Sequence, residues 1–183
     1  MGKKNNDSDL YQKMIDGDVE ALKEVLELYG KKLIYFINGY INDLTYAEDI
    51  MEDSFCDLII SGKKFRSDSS FKTYLFAIAK NKAYDHIKKS SRLRTVSLDD
   101  AREISDDMQL LEEYIVNDEE KRDLHRAMDS LNEDYRQALY LFYFEDMSYE
   151  EIGKVLHKST RQIKNILYRA KQSLKVKLKE ANV

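Results

Sequence analysis

The 183-residue chain has no proline and no tryptophan, six glycines and one cysteine. Without proline, nothing in it locks φ or deletes a backbone donor, so no helix has an obligatory break. Few glycines leave few points of free backbone rotation. Combined with regular 3.6-residue apolar spacing, these shortages point to an all-helical protein. Cys56 has no second cysteine to pair with, which fits a reducing, cytoplasmic compartment. No stretch approaches the ~18 consecutive apolar residues of a membrane span, so no stable membrane insertion of its own is expected. The start, "MGKKNNDSDL", has no apolar run behind its lysines and does not read as a signal peptide. The lack of a glycine-rich phosphate loop argues against a nucleotide site. His86, His125 and His157 have no cysteine or carboxylate partners at metal-ligand spacing. No nucleophile–base pair can be assembled, so the expectation is a non-enzyme with no metal and no cofactor.

What the chain does contain is charge, at 35% of residues, beside 43% hydrophobic residues, enough for a core in one or two small domains. The net charge of −4 conceals segregation. Residues 1–62 carry six basic and thirteen acidic side chains (−7), 63–94 ten and two (+8), 95–120 one and ten (−9), 121–147 four and six (−2), and 148–183 nine and three (+6). A purely solvating surface mixes its signs. Two basic blocks around an acidic one suggest two separate contacts with a polyanion.

Helical patterns cover about residues 8–60, with Ala21, Leu22, Val25, Leu26 and Tyr29 on an inward stripe. Thr45 and Glu48 read as a capping box that starts a helix. "GKKFRSDSS" reads as a loop, and helix resumes at "FKTYLFAIAKNKAYDHIKK". There the apolar phase runs through Phe71, Tyr74, Leu75 and Ile78, then drifts at Ala83 and Ile87, where the helix is expected to change partner or leave the core. Cys56 reads as a packed small residue and His125 as a surface helix residue. The organisation expected is a domain over 1–94, an acidic linker over 95–119 and a second domain over 120–183.

The second domain carries the clearest signal. Ser148 with Glu151, and Ser159 with Gln162, are capping boxes, which predict helices over Tyr149–Leu156 and from Thr160 onward with a turn at His157. On the second of these helices Ile163, Ile166, Leu167, Ala170 and Leu174 fall within one arc. Arg161, Lys164, Asn165, Tyr168, Gln172 and Lys175 fall on the other. Arg and Asn can pair bidentately with base edges, while Lys and Tyr can hold phosphates. Two helices joined by about three residues make a helix-turn-helix.

"SLNEDYRQALYLFYFEDMSYEEIGKVLHKSTRQIKNILYRAKQSLKVKL" resembles the promoter-recognition domain of bacterial RNA polymerase sigma factors of the extracytoplasmic-function group. "YAEDIMEDSFCDLI" followed by "FKTYLFAIAKNKAYDHIKK" resembles their other domain, in the same order. The resemblance spans about residues 10–180. It implies that Thr160, Arg161, Lys164, Asn165, Tyr168 and Lys175 recognise the −35 element. It implies that Phe65 and Arg66 sit in a loop holding a flipped base of the −10 element. Lys80, Asn81, Tyr84, Asp85 and Lys88 would contact the neighbouring strand. Asp49, Ile50 and Asp53 would dock on the coiled coil of the large polymerase subunit. The implied partners are core RNA polymerase, promoter DNA and an anti-sigma factor. The chain departs from the family pattern at Asn132 or Glu133 (usually Pro), His157 (often Gly), Glu52 (usually Gln) and "RQIKNI" (often "GTVKSR"). The alternative is a stand-alone helix-turn-helix regulator, which needs no second basic block.

Overall fold

Helix boundaries are set by polar side chains, as a chain without proline requires. The computed structural model describes residues 3–61, 70–93 and 127–181, and among these there are helices and no strand. The expected loop over 62–69, the acidic linker, and Phe65, Arg66 and His125 lie outside the described residues. The chain divides into two compact units, Met1–Glu103 and Ile104–Val183.

In the first unit, α1 (Lys3–Ile15) ends in a turn through Gly17, whose φ of 95° only glycine adopts cheaply. Asp18 caps α2 (Val19–Ile41), its carboxylate accepting from the Glu20 N–H at 2.9 Å and the Ala21 N–H at 3.2 Å. Asn42, left-handed at φ 56°, closes α2 by donating its N–H to the Asn38 carbonyl. Helix restarts at once. The Asp43 carboxylate accepts from the Tyr46 N–H at 3.2 Å and opens α3 (Leu44–Ser61). Thr45 therefore lies inside the helix instead of capping it, because Asp43 is the first cap residue met after the turn. Ser70 precedes α4 (Phe71–Leu93) and its Oγ accepts from the Thr73 N–H at 3.3 Å.

The core of this unit lies among α2, α3 and α4, with α1 packed against α2 and α4. Val25, Leu33, Ile37, Ala47, Leu58, Leu75, Phe76, Ala79 and Ala83 are fully buried. Burying one such Leu or Phe side chain contributes about 1.5–3 kcal/mol. The apolar phase of α4 does not drift at Ala83: Phe76 and Ala79 widen the stripe and carry it through, and Ile87 is half-buried. Cys56 is exposed, not packed. The Tyr11 ring lies 4.9 Å from Phe71 and ties α1 to α4. Burial, with Tyr74 beside it, pushes the Tyr11 phenol up to about 12.

In the second unit Asn132 caps α5 (Glu133–Tyr143), its side chain accepting from the Tyr135 N–H at 3.0 Å. Both expected capping boxes are present. Ser148 opens α6 (Tyr149–Leu156): its Oγ accepts from the Glu151 N–H at 3.3 Å, and its N–H donates to Glu151 Oε2 at 2.9 Å. Ser159 opens α7 (Thr160–Ala181) in the same way with Gln162, at 3.3 and 2.8 Å. Leu139, Leu141, Ile152, Val155, Ile163 and Ala170 fill the space between the three helices.

Candidate nucleic-acid interface

The turn between α6 and α7 fixes how α7 is presented. Leu156 ends α6, and His157 takes the left-handed conformation at φ 54°. The N–H groups of His157 and Lys158 both reach the Gly153 carbonyl, the latter at 3.0 Å. Gly153 is required here because a Cβ would stand 2.6 Å from the Lys158 carbonyl oxygen. Lys158 Nζ pairs with Asp134 Oδ2 at 3.2 Å and ties the turn to the first turn of α5. The buried face of α7, through Ile163, Leu167, Ala170 and Leu174, then settles its rotation about its own axis.

That rotation exposes Arg161, Lys164, Asn165, Tyr168, Gln172 and Lys175, with Thr160 half-buried at the start. Tyr168 is 67% exposed, which is far more than a packing role needs. Every residue placed on this face by its sequence spacing is brought together on it. Arg169, about 80° round the helix from Arg161, is exposed at the edge of the same face and was not singled out by that spacing. A ledge of rings flanks it. Phe142 and Tyr149 stack at 5.7 Å, Lys171 Nζ lies 4.4 Å from the Phe142 centroid, and Lys164 Nζ lies 6.0 Å from that of Tyr149. The aromatic run "LYLFYF" held this signal, but spacing within α5 alone does not show that Phe142 meets α6 and α7. The arrangement offers a cationic helix with amide, guanidinium and phenol groups aimed outward, which suits major-groove edges and phosphates.

On α4, Asn81, Asp85 and Lys88 are exposed, while Lys80 and Tyr84 are half-buried. Lys80 Nζ lies 5.0 Å from the Tyr84 centroid. Tyr84 is not a loose ring. It packs on Tyr40 at 5.4 Å, Tyr40 on Phe36 at 5.4 Å, and Phe36 on Phe76 at 5.1 Å. A ladder of rings thus runs from the core to this surface and holds Tyr84 from behind.

On α3, Asp49 and Asp53 are exposed as expected. Ile50 is not: at 6% exposure it faces the core with Ala47, Ser54 and Leu58. The helix carries apolar residues around most of its girth, and packing against α2 and α4 turned Ile50 inward and left Ile59 and Ile60 outside. Ile50 therefore packs in the core and presents little surface to a partner, unlike the exposed Asp49 and Asp53 beside it. Among the described residues no cluster of His, Cys, Asp or Glu could hold a metal, and no helix is long and apolar enough to cross a membrane.

Comparison with known proteins gives two family matches: Sigma-70 region 2 over residues 25–93 and Sigma-70 region 4 over residues 121–174. The RNA polymerase sigma-H factor of Pseudomonas aeruginosa is 28% identical over 176 residues, covering 92% of this chain and 91% of that protein. The ECF RNA polymerase sigma factor SigM of Bacillus subtilis is 27% identical over 155 residues, covering 85% and 93%. Among solved structures, the sigma factor RpoE in complex with the anti-sigma factor NepR from Bartonella quintana matches with a TM-score of 0.63 at 24% identity, over 88% of this chain and 98% of that one. CnrH in complex with the cytosolic domain of CnrY matches with a TM-score of 0.65 at 20% identity, over 97% and 99%. At these identities the two structures establish a shared fold.

Proposed function

The chain belongs to the sigma-70 family of RNA polymerase sigma factors and is of the extracytoplasmic-function type, and from that premise we propose how its surfaces divide the work of initiation. It binds core RNA polymerase through the exposed carboxylates of α3, Asp49 and Asp53. The outward face of α7, from Thr160 and Arg161 to Lys175, reads the −35 element in duplex form. The α4 face with Lys80, Asn81, Tyr84, Asp85 and Lys88 holds the unpaired strand of the −10 element, with Phe65 and Arg66 from the segment that precedes it in sequence. The observation that supports this most is the exposed basic face of α7, held on a capped and ion-paired turn. The match of residues 25–93 to region 2 favours this reading over the stand-alone regulator. The protein works as a non-enzyme in the bacterial cytoplasm, and an anti-sigma factor restrains it, as NepR accompanies RpoE in the Bartonella complex.

Strand capture separates the two readings. A repressor needs only duplex DNA, whereas a sigma factor must hold bases that the polymerase has unpaired. Replacing Asn81 and Lys88 with Ala is expected to leave core binding intact and block promoter opening, scored by permanganate reactivity of unpaired thymines. Wild-type opening by this double variant would refute the assignment of α4. Tight duplex binding with no dependence on polymerase would refute the sigma mechanism proposed here.

A further inference from the structure

Asp49, Asp53 and Asp57 recur every four residues along α3 and stand one above another on its outer side. A row of like charges at that spacing is self-repelling, and an external basic partner would relieve it. The structure shows that part of the relief is internal. Lys82, on α4, places its Nζ 2.8 Å from Asp57 Oδ2 and 4.0 Å from Asp53 Oδ2. Its side chain is 23% exposed against 71% for Asp53 and 56% for Asp57, so the ammonium is supported by α4 while the carboxylates face solvent. Asp49 makes no ion pair with a described residue.

We propose that Lys82 is the internal counterion of the polymerase-docking face, a positioning residue that determines how much negative charge α3 presents to core polymerase. Among Asp49, Asp53 and Asp57, one charge of three is offset by Lys82, while Glu48 and Glu52 beside them are also exposed. Asp57 is held by the short contact, Asp53 is shared, and Asp49 has no ion pair among the described residues. A basic partner approaching α3 has to share Asp53 with Lys82 or displace it. Lys82 thereby separates itself from the other cations of the 63–94 block. About 100° round α4 from Asn81 and about 60° from Asp85, it lies at the border of the strand-holding face and turns its ammonium to α3. This inference rests on the reading that Asp49 and Asp53 dock on polymerase.

The test uses the full chain and core polymerase, with affinity measured by competition at about 0.05 M and about 0.5 M salt, where the Debye length falls from roughly 14 to 4 Å. Lys82→Gln makes the face more negative by one charge. It is expected to bind core roughly three- to tenfold more tightly at low salt, with a steeper salt dependence and no gain at high salt. Asp57→Asn makes the face less negative by one charge and is expected to shift both quantities the other way. Lys82→Arg keeps the charge and should behave as wild type. A merely structural ion pair would move the unfolding temperature in these variants and leave the salt slope alone. Unchanged slope and affinity in a folded Lys82→Gln variant would overturn the proposal. Should that variant not fold, an unchanged Asp57→Asn variant would overturn it equally. The joint change of Asp49 and Asp53 to Lys tests the docking surface itself. If it abolishes core binding while Lys82→Gln alters nothing, the counterion role fails and the docking reading stands. If it binds normally, the docking reading fails.

Discussion

Gly153→Ala sets two physical effects against each other in one methyl group. Inside a helix, alanine is favoured over glycine by about 0.8–1 kcal/mol, so propensity alone makes the variant more stable. The turn after α6 reverses that. The new Cβ would lie 2.6 Å from the Lys158 carbonyl oxygen, and the Lys158 N–H is tied back to the Gly153 carbonyl at 3.0 Å. An ordinary carbon–oxygen contact is about 3.3 Å or more, so the turn has to open by roughly 0.7 Å. The obstacle is backbone, and no rotamer change clears it. Overpacking of this kind costs about 1–3 kcal/mol. The clash wins over most of that range, with a net loss of up to about 2 kcal/mol and about 1 kcal/mol at its centre. For a unit of this size a loss of about 1 kcal/mol is roughly 4–8 °C in unfolding temperature, and protected amides of α6 and α7 exchange roughly five times faster. Hydrogen exchange resolved on those helices, with circular dichroism melting of the full chain, measures both. His157→Gly is the paired control. It relieves a left-handed non-glycine residue at φ 54°, costing about 1–2 kcal/mol, and returns part of that as unfolded-chain entropy. It is expected to fall between neutral and about 1 kcal/mol more stable. A Gly153→Ala variant as stable as wild type would refute the argument from the turn.

On α7, Asn165→Ala is expected to lose discrimination at one base pair, worth about 1–3 kcal/mol, while Lys175→Ala weakens all promoters alike and lowers the salt slope by about one. Selection from randomised −35 sequences, with titrations across salt, distinguishes them, and a changed sequence preference in Lys175→Ala would contradict the sorting. In the first unit, Tyr11 is pushed up to about 12 when folded, above the ordinary 10 of the unfolded chain. Folding favours its neutral form, so its contribution is complete below pH 10 and lost as pH rises from 10 towards 12. Denaturant titrations of Tyr11→Phe across that window should show a flatter loss of stability than wild type, and an equally steep loss would exclude Tyr11 as the source.

The second unit was largely legible in the sequence because its signals are local. Ser148, Glu151, Ser159 and Gln162 satisfy backbone groups within one turn, and the apolar arc of α7 is narrow enough to have a single solution. The first unit was legible in type but not in phase. On α3 the residues Ile50, Met51, Phe55, Leu58, Ile59 and Ile60 surround the axis, so spacing cannot choose which of them turn inward. Contact with α2 and α4 chose Ile50, Phe55 and Leu58. The same ambiguity misplaced Cys56. Capping at Asp43 was hidden because two candidate starts lay two residues apart. Lys82 was readable as part of a basic block, but its pairing with Asp57 spans 25 positions and only the packed helices reveal it.

The ladder from Phe76 through Phe36 and Tyr40 to Tyr84 has a consequence for genetics. If α4 holds the unpaired strand as proposed, a screen for lost promoter opening would recover changes at the buried Phe36 and Phe76, because each rung supports the ring above it. Such alleles would score as recognition mutants at permissive temperature and as folding mutants when warmed. Compensating changes would arise along the ladder, not on the exposed face of α4, since refilling the space behind Tyr84 restores its pose without adding any new contact.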